Sequence, residues 1–109
     1  MYNINSIPNN LEKFLVYSGI FCNNHNVDMM SFCETRLSND IQHLYSVPGY
    51  KLFTNNRNRY GGGVCIYVKQ CISCHICDNL CIMRDSIETL FIEARYLGKC
   101  IYNLWHYLS

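Results

Sequence analysis

Glu34 closes a short apolar run: Val27, Met29, Met30, Phe32 and Cys33 lead to it, and Thr35-Arg36-Leu37 follow. A run this short and rich in bulky apolar residues reads as a buried strand rather than a helix. Glu34 is then expected at the strand's carboxyl end, where open α/β sheets place ligand-binding groups. A carboxylate there suits a hard cation such as magnesium, which takes oxygen ligands and few of them from protein. The plainer alternative is a solvated glutamate paired with Arg36. Asn3 adds a second polar group near the chain start. An amide and a carboxylate on neighbouring strand ends can jointly orient a magnesium ion and its waters, with the ion polarising a phosphodiester oxygen. Two such residues alone are more often plain surface.

Cys71, Cys74, Cys77 and Cys81 form a second constellation, spaced C-x-x-C-x-x-C-x-x-x-C. That is the spacing of a bacterial iron–sulfur run, although Ile82 stands where a proline usually follows. Cys71-Ile-Ser-Cys74-His75 also has the form of a haem c attachment motif. A ferredoxin draws the fourth ligand of each cluster from a second copy of the run, and the sequence has one copy. Ile72, Ile76, Leu80 and Ile82 are interleaved as in an ordinary strand or loop wall. The four are therefore read as reduced cysteines without a metal. Zinc is the best of the metal readings, since His75 and thiolates suit it.

Gly61-Gly62-Gly63 follows Arg57 and Arg59, a third candidate. A phosphate-cradling loop should open a helix, whereas this one leads into Val64-Cys65-Ile66-Tyr67-Val68. It reads as backbone freedom at the start of a strand, with the arginines available to a phosphate backbone.

The elements that must position these groups can be followed along the chain. Pro8 with Asn9-Asn10 is a breaker followed by N-capping residues. From there Leu11, Phe14, Leu15, Ser18 and Cys22 recur as one helical face, with Glu12, Lys13 and Tyr17 turned outward. Asn23-Asn24-His25-Asn26 ends the helix and feeds the strand before Glu34. Ser38 to Leu44 is a loop or short helix, and Val47-Pro48-Gly49-Tyr50 is a turn. Tyr50-Lys51-Leu52-Phe53 and Val64–Val68 form a long-looped hairpin. Leu90-Phe91-Ile92 belongs to a further strand, and Gly98-Lys99 turns it back into Cys100 to Trp105. The reading is one α/β piece.

Its totals narrow the function classes. The chain has 109 residues, room for one small domain or part of a larger one. Nine Lys and Arg against eight Asp and Glu make a net charge of +1, so there is no basic footprint to mark a nucleic-acid partner. No stretch approaches about 18 uninterrupted apolar residues, so no membrane partner is expected. Met1-Tyr2-Asn3-Ile4-Asn5 lacks the basic start and apolar core of a signal peptide. An intracellular setting follows, with the eight cysteines reduced.

Taken in order, Asn3-Ile-Asn-Ser-Ile, Ser-Phe-Cys-Glu34-Thr-Arg-Leu-Ser, Pro48-Gly-Tyr, Arg59-Tyr-Gly-Gly-Gly-Val-Cys-Ile-Tyr-Val-Lys69 and Ile87-Glu-Thr-Leu-Phe-Ile-Glu93 resemble the amino-terminal half of the endonuclease/exonuclease/phosphatase family. The likeness is closest to the endonuclease domain that precedes the reverse transcriptase of non-LTR retrotransposons, and it spans nearly the whole chain. It implies a partial four-layer α/β sandwich of the DNase I-like kind, with residues 1–109 as a truncated domain. It also implies magnesium-dependent cleavage of DNA, and a nuclear location where that activity is used. Carried over by position, Glu34 matches the family's metal-binding glutamate and Asn3 its active-site asparagine. Tyr107 matches the tyrosine that helps hold the scissile phosphate, without the Arg-Pro-Pro-Asn or Ala-Pro-Asn that usually follows.

The departures bear on activity. The family's later half supplies an Asp-x-Asn pair and a Ser-Asp-His motif, and neither occurs here. His25, His43, His75 and His106 fall elsewhere. The expectation is a fragment or decayed reading frame, inactive alone. Half a sandwich should also leave an inner sheet face and an edge strand open, favouring self-association. Two other classes stay open: a small module organised by metal at the Cys71–Cys81 run, and a non-catalytic interaction domain on the same fold.

Overall fold

The computed structural model describes residues 2–24, 28–58, 60–84, 87–95 and 102–107, with backbone alone for residues 2, 20–24, 95 and 102–107. In chain order the elements are β1 (Tyr2–Asn3), α1 (Leu11–Asn24), β2 (Met29–Cys33), β3 (Tyr50–Asn55), β4 (Val64–Lys69), β5 (Ser73–Ile76), β6 (Ile87–Arg95) and β7 (Tyr102–Tyr107). Short 3-10 turns occupy Pro8–Asn10, Gln42–Tyr45 and Asp78–Leu80. One sheet has the order β1-β2-β4-β3 and the other β5-β6-β7. β1 runs parallel to β2, and every other pairing is antiparallel. The class is mixed α/β.

β4 explains the layering. Val64 to Val68 are all buried, and successive side chains must face opposite ways. Cys65 and Tyr67 join Met30, Phe32 and the α1 residue Phe14 in one core. Val64, Ile66 and Val68 join Leu90, Ile92 and Ala94 of β6 in the other. A strand covered on both faces loses apolar–polar alternation, which is why this segment is a continuous apolar run. The order is helix, sheet, sheet. The inner face expected to lie open is therefore covered, because the same chain supplies a second sheet to pack against the first.

The expected hairpin forms, with β3 and β4 in register from Tyr50↔Lys69 to Asn55↔Val64. Its preceding turn closes with the Tyr50 N–H donating to the Val47 carbonyl at 3.0 Å, and Gly49 supplies the positive φ of 85°. The apolar face of α1 differs from the expected one. Phe14 and Ser18 are buried and Tyr17 packs on the core, while Leu11 and Leu15 are 44% and 57% exposed. At about 100° per residue, Leu11 and Leu15 lie to one side of the Phe14–Ser18 line and Tyr17 to the other. The aromatic contacts of Phe14 with Phe32, Tyr67 and Tyr45, at ring-centroid distances of 5.5, 5.8 and 6.5 Å, roll the helix toward Tyr17. Cys22 lies among the residues described by backbone alone.

Side chains tie the two sheets at their ends. Asn55 Nδ2 donates to the carbonyls of Ile82 (3.0 Å) and Thr89 (2.7 Å), and Lys51 Nζ donates to the carbonyl of Ile72 (2.6 Å). No helix among the described residues is long and apolar enough to cross a membrane.

Candidate active site

β1 and β2 are paired in parallel with Asn3 opposite Cys33, so Asn3 and Glu34 stand at neighbouring carboxyl ends. The pairing continues beyond the strands. Ile4, Ser6 and Ile7 N–H groups donate to the carbonyls of Cys33 (3.2 Å), Glu34 (2.6 Å) and Thr35 (2.9 Å). On the opposite side the Thr35 and Arg36 N–H groups donate to the carbonyls of Gly63 (3.2 Å) and Gly62 (2.9 Å). The Glu34–Arg36 loop is thus held between two backbone segments.

Holding it requires unusual conformations. Among the described residues, positive φ outside glycine occurs at Asn5 (51°), Ser6 (85°), Glu34 (56°) and Arg36 (54°), all in these two paired loops. Each such residue costs on the order of 1–3 kcal/mol, and strain of this kind gathers where ligands are held. Asn5 and Arg36 are cross-braced, the Arg36 guanidinium donating to Asn5 Oδ1 at 3.1 Å. Arg36 is thus turned to the neighbouring loop, which departs from the Glu34–Arg36 pairing of the plainer reading.

Two carboxylates meet the glycine pair. The Gly62 N–H donates to Glu34 Oε2 at 3.3 Å, and the Gly63 N–H donates to Glu88 Oε2 at 2.8 Å. Gly62 and Gly63 have φ of 71° and 93°. A Cβ on Gly62 would collide with Glu88 Oε2, and one on Gly63 would lie 2.5 Å from Thr35 Oγ1. Only glycine fits so close an approach of two loops and a buried carboxylate. Gly61 meets nothing within 4 Å, so the triplet's requirement rests on its last two members.

Glu88 is fully buried, in phase along β6 with Leu90, Ile92 and Ala94. It joins the second sheet to the Glu34 loop through Gly63. β7 pairs with β6 in the register Ile87↔Tyr107, which puts the Tyr107 backbone beside Glu88 at that end of the second sheet. The side chain of Tyr107 lies outside the description, as does Arg59; Arg57 is exposed. Asn3, Glu34 and the Tyr107 backbone therefore belong to the same end of the two sheets. Asn3 is exposed, with Oδ1 accepting the Asn5 N–H at 3.1 Å, and Glu34 is half-buried. Two oxygen-bearing groups open to solvent suit a hard cation that keeps most of its own waters. Cys33, beside Glu34, has its thiol pushed up to about 11 by burial and then by the Glu34 charge. It stays protonated and unreactive at neutral pH. No protein-family model matches the chain, and no characterised protein matches it.

The cysteine run does not converge. Cys71 is exposed, Cys74 packs against the core between the sheets, and Cys81 Sγ accepts the Phe91 N–H at 3.5 Å. Among the described residues the one group of three or more His, Cys, Asp or Glu side chains close enough to share a metal is His75, Cys77 and Glu93. Sequence reasoning missed Thr35 and Glu88 as site-building residues. Glu88 was detectable as an acid in the apolar phase of its strand. Thr35 carried no signal, because its role depends on Gly63 arriving from a distant loop.

Proposed function

We propose that these 109 residues form the magnesium-binding part of a phosphodiester-cleaving domain of the endonuclease/exonuclease/phosphatase type, acting on DNA and closest to the endonucleases of non-LTR retrotransposons. One observation carries the reading: Asn3 and Glu34 occupy adjacent parallel strand ends, in two strained loops braced against Gly62 and Gly63. The helix–sheet–sheet order supports a partial four-layer sandwich. Glu34 would hold the cation and Asn3 would orient its waters, with Tyr107 matching by position the tyrosine that helps hold the scissile phosphate. A magnesium ion there would supply Lewis-acid polarisation of a phosphodiester oxygen. Glu88 and Thr35, both fully buried, keep the Glu34 loop in place through Gly63.

The chain contains no Asp-x-Asn and no Ser-Asp-His, so it lacks the groups that would activate water and support the charged phosphate. Loss of each acid–base group costs about 10²–10⁴-fold in rate. The 109-residue chain is therefore expected to leave supercoiled plasmid intact in magnesium. A nick abolished by Glu34→Ala would refute that expectation of inactivity. Binding is tested separately with manganese as a paramagnetic probe. The backbone amide signals of Asn3, Glu34 and Gly62 should broaden first, and Glu34→Gln should remove the effect. Equal broadening in the variant, or none in the wild type, would sink the proposal.

A further inference from the structure

The second sheet carries a ligand set on its outer face, away from the strand ends described above. β5 and β6 are paired with Cys74 opposite Ala94, His75 opposite Glu93 and Ile76 opposite Ile92. The Cys77 N–H continues the ladder by donating to the Phe91 carbonyl at 2.8 Å. Because side chains alternate along a strand, Cys74 and Ile76 face the inter-sheet core while His75 and Cys77 face outward together. Glu93, directly across from His75, shares that outward face. His75 Nε2 and Glu93 Oε2 are 3.2 Å apart, and one donor atom from each of His75, Cys77 and Glu93 lies within 4.8 Å of the others.

We propose that His75, Cys77 and Glu93 bind a zinc-class divalent ion. In a tetrahedral site with Zn–N and Zn–O near 2.0–2.2 Å and Zn–S near 2.3 Å, neighbouring donors are separated by about 3.3–3.6 Å. The imidazole–carboxylate pair, at 3.2 Å, is just short of that spacing, and the Cys77 donor lies within 4.8 Å of both. An imidazole, a thiolate and a carboxylate together suit zinc, whereas magnesium and calcium refuse sulfur. The side chains of His75 and Glu93 are 65% and 35% exposed, so the ion enters from solvent and keeps water in its fourth position. The ion joins two adjacent strands, and binding to the folded chain alone raises its stability. This site is independent of the magnesium reading and differs from the four-cysteine run, since it uses Cys77 alone of that run.

Cobalt(II) serves as the probe, added to the reduced full chain with zinc as competitor. One equivalent should give a thiolate-to-cobalt charge-transfer band in the near ultraviolet, bleached by one equivalent of zinc. Cys77→Ser should lose the band, and His75→Ala and Glu93→Gln should each weaken binding at least tenfold. Cys74→Ser, Cys81→Ser and Glu34→Ala should leave spectrum and affinity unchanged, which separates this site from the cysteine run and from the strand-end site. Far-UV circular dichroism of metal-free Cys77→Ser should match the wild type. A band that survives Cys77→Ser, a band lost equally in Cys74→Ser or Cys81→Ser, or no saturable binding would each overturn the proposal.

Discussion

Gly63→Ala offers the sharpest measurement of how the site is built. Gly63 has a φ of 93°, and an added Cβ would sit 2.5 Å from Oγ1 of Thr35, itself fully buried. A side chain in this left-handed conformation costs about 1–3 kcal/mol. Forcing a buried neighbour to move costs about 1–3 kcal/mol more. The sum, roughly 2–6 kcal/mol, is a large part of the ~5–15 kcal/mol that holds a domain of this kind together. Gly49→Ala has the same class of backbone problem, with φ at 85°, but meets nothing within 4 Å. It should lose only the backbone part, about 1–3 kcal/mol. Gly61→Ala, with ordinary φ and open space, should stay within about 0.5 kcal/mol of wild type. Urea unfolding followed by far-UV circular dichroism measures all three. Removing the obstructing hydroxyl in Gly63→Ala/Thr35→Ala should restore about 1–3 kcal/mol through coupling between the two positions. The reasoning fails if Gly63→Ala is no worse than Gly49→Ala, or if Thr35→Ala gives no rescue.

Other expectations rest on separate parts of the fold. Phe14→Ala removes a ring packed against Phe32, Tyr45 and Tyr67 and should cost about 3–5 kcal/mol, while Leu15→Ala on the exposed side of α1 should stay within about 0.5 kcal/mol; equal losses in urea unfolding would mean the helix is rolled the other way. Burial raises the Cys33 thiol to about 11 and pushes Cys65 and Tyr67 up as well. The unfolded thiol releases its proton first on going alkaline, so the folded chain holds more protons and stability must fall as pH rises. For Cys33 the window runs from its ordinary 9.0 to about 11, and at about 1.4 kcal/mol per pH unit the loss is roughly 2–3 kcal/mol. Melting temperatures flat from pH 8 to about 11 would contradict it. Edge strands and the exposed Leu11, Leu15 and Val16 predict concentration-dependent association in sedimentation velocity, and a monomer at every concentration would remove that expectation.

The amino-acid sequence by itself determined the local elements and much of their order. Apolar run length marked β2 and β4, Pro48-Gly49 marked the turn before β3, and the strand ending before Glu34 is where its composition puts it. Spacing placed a helix after Pro8, although it did not orient that helix, because Phe14 and Leu15 are equally apolar and only the aromatic partners distinguish them. The cysteine run shows why spacing alone misleads: its register splits the thiols between the core, the surface and a ladder of hydrogen bonds. What only the tertiary structure decided is the meeting of distant segments. Asn3 is set opposite Cys33, one residue before Glu34, by parallel pairing, Gly63 reaches Thr35 from another loop, and Glu88 arrives from the second sheet. The first two depend on which strands pair within the first sheet and the third on how the two sheets stack, long-range matters with no local periodicity to announce them.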